Sequence, residues 1–211
     1  MVAEFDSIPS VQFISVNKKF GEIYANSNLH FEVFPGTLHA MVGENGAGKS
    51  TAMNILYGLY QPDSGEVRVQ GQRIQFASPR QAVEMGIGMV HQHFMLSDNH
   101  TALENLLLGD ERVADGKDFK KNSFKEKLSS FFPVRRHVAL KKFERLASEL
   151  GFVIPWHIPV EKLSVGQKQQ LEILKVLRLD HDILIFDEPT AVLSPDEIQQ
   201  FYQNLIRLRE L

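Results

Sequence analysis

Hydrophobic and polar positions change rhythm several times along this chain. "VQFISV" at 11–16, "LHFEVF" at 29–34 and "TLHAMV" at 37–42 are apolar-rich runs of strand length, the last two parted by the turn signal "FPGT". "GEVRVQG" at 65–71 alternates between turn glycines and predicts a further strand. "GIGMV" and "DILIF" at 182–186 are compact apolar runs that read as buried strands. Helical signals fall between them. One helix is predicted over 49–58. "SPRQ" opens another, with Ser78 as N-cap, Pro79 at N1 and Gln81 at N3. "TALE" has capping-box spacing at Thr101 and Glu104, and "SPDE" starts a last helix with Ser194 as cap. Strands alternating with helices predict an α/β domain with a mainly parallel sheet.

"KLSVGQKQQLEIL", Lys162 to Leu174, is another helix start. Ser164 takes the N-cap and Gln167 the third position, and Leu171, Leu174 and Leu177 follow at helical spacing. The cap does not explain Gly166, a poor helix former in the first turn.

Composition narrows the class. The chain has 211 residues, 43% of them hydrophobic, enough for one globular domain. A formal net charge of -3 gives no reason to expect nucleic acid as a partner. There are no cysteines, which removes disulfides and thiolate metal sites. The start, "MVAEFDSIPS", does not read as a secretory signal, and no apolar run approaches the roughly 20 residues of a membrane span. A soluble, cytoplasmic chain is expected. Residues 111–145 are rich in Lys and Arg, which reads first as a solvated helical region.

The sharpest chemistry is "GENGAGKST". It fits G-x-x-x-x-G-K-[ST], after an apolar strand and before a helix. In such a loop the backbone amides of Gly43, Asn45, Gly46, Ala47 and Gly48, with Thr51 beyond them, converge on polyphosphate, and the helix predicted over 49–58 adds its positive end. Lys49 would reach the β- and γ-phosphates, and the Ser50 hydroxyl would ligate Mg²⁺. "ILIFDE" supplies carboxylates at a strand end. Asp187 is placed to hold Mg²⁺, and Glu188 to orient or deprotonate an attacking water. Gln92, in "MVHQHF", carries an amide able to contact water or ligate Mg²⁺. His91 and His93 flank it, but no third metal ligand is evident.

With these motifs in this order, the chain resembles the ATP-binding cassette of ABC transporters over nearly its whole length. The matching motifs are the P-loop at 43–51, the Q-loop glutamine at Gln92, the signature at 163–167 and the Walker B strand at 183–188. The resemblance implies a P-loop ABC-type nucleotide-binding domain over 1–211. It would carry an antiparallel β subdomain and a helical subdomain over 101–180. Phe20, in "KKFG", matches the aromatic that stacks on adenine. Two cassettes of the family pair head to tail around ATP. Ser164, Gly166 and Gln167 would then complete a partner's site, with Gly166 letting backbone approach the γ-phosphate.

"GMVHQHFML", "TALENLLLG" and "DEPTAVLSP" look like importers of simple sugars and nucleosides, closest to the nucleoside, or basic-membrane-protein, branch. That resemblance implies ATP hydrolysis at the cytoplasmic membrane face. The implied partners are a second cassette, two permease subunits and, indirectly, an extracytoplasmic solute-binding protein. In that group one polypeptide usually carries two cassettes. Val165 stands where the common signature has glycine, Gln170 where arginine is frequent, and Ser194 where many cassettes have aspartate. "IRLREL" precedes the strand that bears the family's switch histidine, so the chain reads as the first cassette of a longer protein. The alternatives are a soluble ABC ATPase without a permease and a nucleotide-binding fragment without turnover.

Overall fold

The computed structural model describes residues 8–92, 94–108, 132–179, 181–191 and 193–210. His93 and the 111–131 part of the basic stretch lie outside the described residues. The chain divides into two compact units.

The first unit holds residues 1–92, 180–188 and 205–211. Strands β1 (Val11–Phe20) and β2 (Ile23–Val33) form a hairpin around the two-residue turn Gly21-Glu22, where Gly21 takes φ 58. Strands β3 (Ser64–Val69) and β4 (Gln72–Ile74) form another around Gln70-Gly71. There both central residues have positive φ, 50 and 77, as a type I′ turn requires. The four strands make an antiparallel sheet in the order β2-β1-β3-β4. Phe13 faces Phe31 across the β1–β2 ladder, rings stacked at 4.5 Å.

Helix α1 (Lys49–Leu56) follows the glycine-rich loop. After α2 (Pro79–Glu84), strand β5 (Ile87–Val90) pairs in parallel with β6 (Ile183–Phe186), Ile87 opposite Ile183 and Val90 opposite Phe186. Val11, Phe13, Ala52, Ile55, Val67, Ile87, Met89 and Ile185 share one buried cluster. The start of α1 and the end of β6 are thereby tied to the same core.

The second unit holds residues 93–179 and 189–204. It contains α3 (Ala102–Leu107), α4 (Phe132–Leu150), the 3₁₀ turn Val160–Lys162, α5 (Val165–Leu177) and the opening of α6 (Pro195–Glu210). Both α3 and α4 pack on α5. Leu103, Leu106, Leu150, Leu171 and Leu174 are fully buried.

Two expectations are corrected, and a third, the Ser78 cap, holds in position but not in its side-chain bond. The run at 37–42 forms no strand; Val42 is 94% exposed, and apolar residues without a neighbouring ladder do not make a strand. Among the described residues the parallel ladder therefore has only two strands. Ser78 occupies its N-cap without a side-chain cap bond; instead Gln81 Oε1 reaches back to accept the Ala77 N–H at 2.7 Å. The helix expected over 49–58 ends at Leu56, before Gly58 at φ 80.

Candidate functional site

In the first unit, residues 43–47 form an exposed turn that runs through the buried Gly48 into α1. Gly46 and Gly48 both take φ 83, a conformation that disfavours any side chain. At Gly48 a side chain is excluded twice over, because a Cβ would lie 1.9 Å from the Ala25 carbonyl oxygen and 2.6 Å from Asn26 Nδ2. Gly48 is also the N-cap of α1, so no cap side chain covers the helix's first amides. Asn26, buried on β2, donates through Nδ2 to the Gly48 carbonyl at 3.1 Å and pins the loop's exit. Lys49 folds back over the turn, its Nζ donating to the carbonyls of Gly43 at 2.7 Å and Glu44 at 2.8 Å. An ammonium held by two neutral carbonyls is poised to exchange them for a phosphate oxygen, a stronger charge-assisted partner.

Two strand ends bring the remaining groups. The Asp187 N–H continues the parallel ladder by donating to the Val90 carbonyl at 3.1 Å. Its carboxylate Oδ1 accepts from Ser50 Oγ at 2.9 Å. A hydroxyl and a carboxylate side by side are the hard oxygen donors that suit Mg²⁺, so the residues present fit that ion. Glu188 follows in the left-handed region at φ 47. Gln92, two residues beyond β5, donates through Nε2 to Glu188 Oε2 at 2.9 Å. The first unit thus assembles Lys49, Ser50, Asp187, Glu188 and Gln92 with the loop amides. The arrangement can hold a polyphosphate and a divalent cation, with a carboxylate ready to accept a proton.

Phe20 ends β1 with 44% exposure. The Tyr60 ring meets it edge-on at 5.2 Å, and Lys18 Nζ lies 5.4 Å from its centroid. Lys18 is itself tied to Asp63 at 2.9 Å, and that bond, with the Lys19 N–H, holds the Asp63 carboxyl below its ordinary range. His91 has the Tyr57 ring edge-on at 5.7 Å, and among the described residues no cluster of three metal-ligating side chains occurs.

In the second unit, Ser164 and Gln167 form the expected capping box. The Gln167 N–H donates to Ser164 Oγ at 3.2 Å, and the Ser164 N–H to Gln167 Oε1 at 3.0 Å. Gly166 has a tertiary neighbour that the sequence reading missed. Its N–H donates to Glu197 Oε1 at 3.1 Å, and a Cβ on Gly166 would lie 2.5 Å from that oxygen. Glu197 Oε2 meanwhile accepts the Ser194 N–H at 2.9 Å and Ser194 Oγ at 2.8 Å. Ser194's backbone and hydroxyl, then Gly166, keep the Glu197 carboxyl below its usual range. The sequence placed Ser194 as the cap of this helix; the bonds of Glu197 to Ser194 and to Gly166 were not read there.

Comparison with known proteins supplies the context. A family model described as ABC transporter matches residues 26–191. The guanosine import ATP-binding protein NupO of Bacillus subtilis is 42% identical over 93% of this chain and 36% of its own length. The nucleoside import ATP-binding protein NupA of Lactococcus lactis is 45% identical over the same shares. The chain spans about a third of the length of these curated relatives. A nucleotide-free ATP-binding cassette from an ABC transporter superposes with TM-score 0.77 at 24% identity, covering 96% of this chain and 78% of that one.

Proposed function

The chain belongs to the ABC transporter family, and on that premise we propose that it is an ATP-binding and ATP-hydrolysing cassette that energises import of a nucleoside or simple sugar. The observation that carries the reading is the convergence of Lys49, the Ser50–Asp187 pair and the Gln92–Glu188 pair around one exposed glycine loop. The importer names of the two relatives support the transport role.

The roles proposed for the residues are these. Phe20 offers an exposed ring face for the adenine. The amides of Gly43, Asn45, Gly46, Ala47 and Gly48, with those of Lys49, Ser50 and Thr51, receive the phosphates. Lys49 exchanges its two carbonyl contacts for the β- and γ-phosphate oxygens. Ser50 and Asp187 would hold Mg²⁺, with Gln92 as a further oxygen donor. When bound, Mg²⁺ neutralises charge on the β- and γ-phosphates. Glu188 accepts the proton of the attacking water, and the Gln92 amide on its Oε2 fixes how the carboxylate points. Ser164, Gly166 and Gln167 present a hydroxyl and an amide at a helix N-terminus, suited to the γ-phosphate held by a second cassette.

The further partners proposed are permease subunits and, through them, a solute-binding protein, with the cassette peripheral at the cytoplasmic membrane face. Among the described residues no helix is long and apolar enough to cross a membrane. Residues 101–180 are proposed as the helical subdomain that meets the permease, together with Met95, 63% exposed just after Gln92.

Calorimetric titration with Mg-ATP tests the site. Wild-type chain is expected to give a saturable heat, and Lys49→Ala to lose nearly all of it. Equal affinity in the two would remove the phosphate-site assignment. Co-expression with permeases, followed by purification of the complex, tests the transport role.

A further inference from the structure

Glu172 lies on α5 at 3% exposure, an acid where the helical pattern calls for an apolar side chain. Its partner is Lys175, three residues on, at 3.7 Å. The pair does not close on itself. Lys175 Nζ donates to the Met95 carbonyl; burial pushes the Glu172 carboxyl up, and Lys175 and then a hydrogen bond from the Met95 N–H pull it part of the way back. Two side chains nearly one helical turn apart therefore grip both main-chain groups of a single loop residue, whose own side chain stays exposed.

The rest of that loop is held with equal care. Asn105, buried on α3, accepts the Ser97 N–H at 2.7 Å and donates to the carbonyls of Ser97 at 3.0 Å and Thr101 at 3.1 Å. Lys168 of α5 lies 3.6 Å from Asp98, and the Glu161 N–H donates to the Asp98 carbonyl at 3.1 Å. Replacing a buried ion pair with apolar residues of similar size is often neutral or stabilising, so stability alone gives no reason for charge here. What the charges do that leucine and methionine cannot is satisfy the peptide groups on either side of Met95.

We propose that Glu172 and Lys175 are positioning residues. They lock the main chain of Met95 to α5, so that the segment following Gln92 and the helix opening at Ser164 respond to nucleotide as one piece. This rests on the cassette reading above. Without the lock, Met95 and α5 can each shift while nucleotide still binds, and the two halves of the response fall out of step.

The decisive variant is Glu172→Leu with Lys175→Met in the intact protein. Nucleotide affinity and melting temperature are expected to stay near wild type, while phosphate release falls roughly 10- to 100-fold, as misplacement of supporting groups commonly does. Lys175→Arg, which keeps a donor for the carbonyl, should retain most of the rate. Because the chain has no cysteine, spin labels can be placed uniquely at Met95→Cys and Val165→Cys. Their distance distribution should be narrow with the pair intact and broad in the double variant. A narrow distribution in both, or full turnover by the double variant, overturns the proposal. If wild type neither binds nor hydrolyses ATP, the cassette reading fails, and the label distances still decide whether the lock exists. If the double variant does not fold, Glu172→Gln alone, with the same label pair, makes the same test.

Discussion

Ser50 Oγ donates to Asp187 Oδ1 at 2.9 Å, joining the first turn of α1 to the end of β6 across 137 residues of sequence. The bond sets a hydroxyl and a carboxylate where one cation could use both. Asp187→Asn keeps an acceptor for Ser50 but removes the charge. It is expected to lower Mg-dependent nucleotide affinity about 10-fold or more, with little change when Mg²⁺ is withheld. Calorimetry with and without the metal checks this; equal losses in both conditions would mean that Asp187 supports the loop rather than the ion.

Glu188→Gln keeps an oxygen within reach of Gln92 and loses the proton acceptor. Nucleotide should bind as in wild type, while turnover falls on the order of 10²–10⁴-fold, the usual contribution of a general base. Gln92→Ala should cost less, because it releases the carboxylate without removing it. Phosphate release at saturating ATP measures both, and a larger loss for Gln92→Ala would reverse the assignment.

Acid stability should show two opposite signs. Hydrogen bonds from Thr101, its backbone N–H first, hold the Glu104 carboxyl below its ordinary range. The stability it contributes is present above the unfolded value, about 4.3, and is lost as pH falls through the lower folded value. Burial pushes the Glu172 carboxyl the other way, against the pull of Lys175 and the Met95 N–H. Its contribution is full below about pH 4.3 and is lost as pH rises through the raised folded value. Urea midpoints from pH 4 to 7.5 should therefore diverge in opposite directions. Relative to Glu104→Gln, wild type gains with rising pH; relative to Glu172→Gln, it loses. Parallel slopes would contradict one of the two.

What could be read from the sequence is what closes over a few residues. The capping boxes at Thr101 and Ser164 each need four consecutive residues and no tertiary partner, and both form as read. The strand pattern of 11–16 and 65–71 survived because alternation is local. The 37–42 run failed because a strand is made by its neighbour, which no window of sequence contains. Asn26, Asn105 and Glu172 went unseen for the same reason. Each is a polar group inside the fold, and what satisfies it arrives from elsewhere along the chain: Gly48 for Asn26, Ser97 for Asn105, Met95 for Glu172. Gly166 lies between these cases. Its oddity was visible, and the carboxylate that its N–H meets, Glu197, was 31 residues away.

Glu188 sits at φ 47, where an L side chain without branching still loses about 1–2 kcal/mol relative to the right-handed region. Glycine and asparagine tolerate that conformation better. A laboratory search for heat-resistant variants would therefore be drawn to position 188 and would settle on residues that cannot take a proton. Thermostable isolates changed there should be sorted by phosphate release before use, since under the role proposed for Glu188 robustness and activity would be selected at one residue in opposite directions.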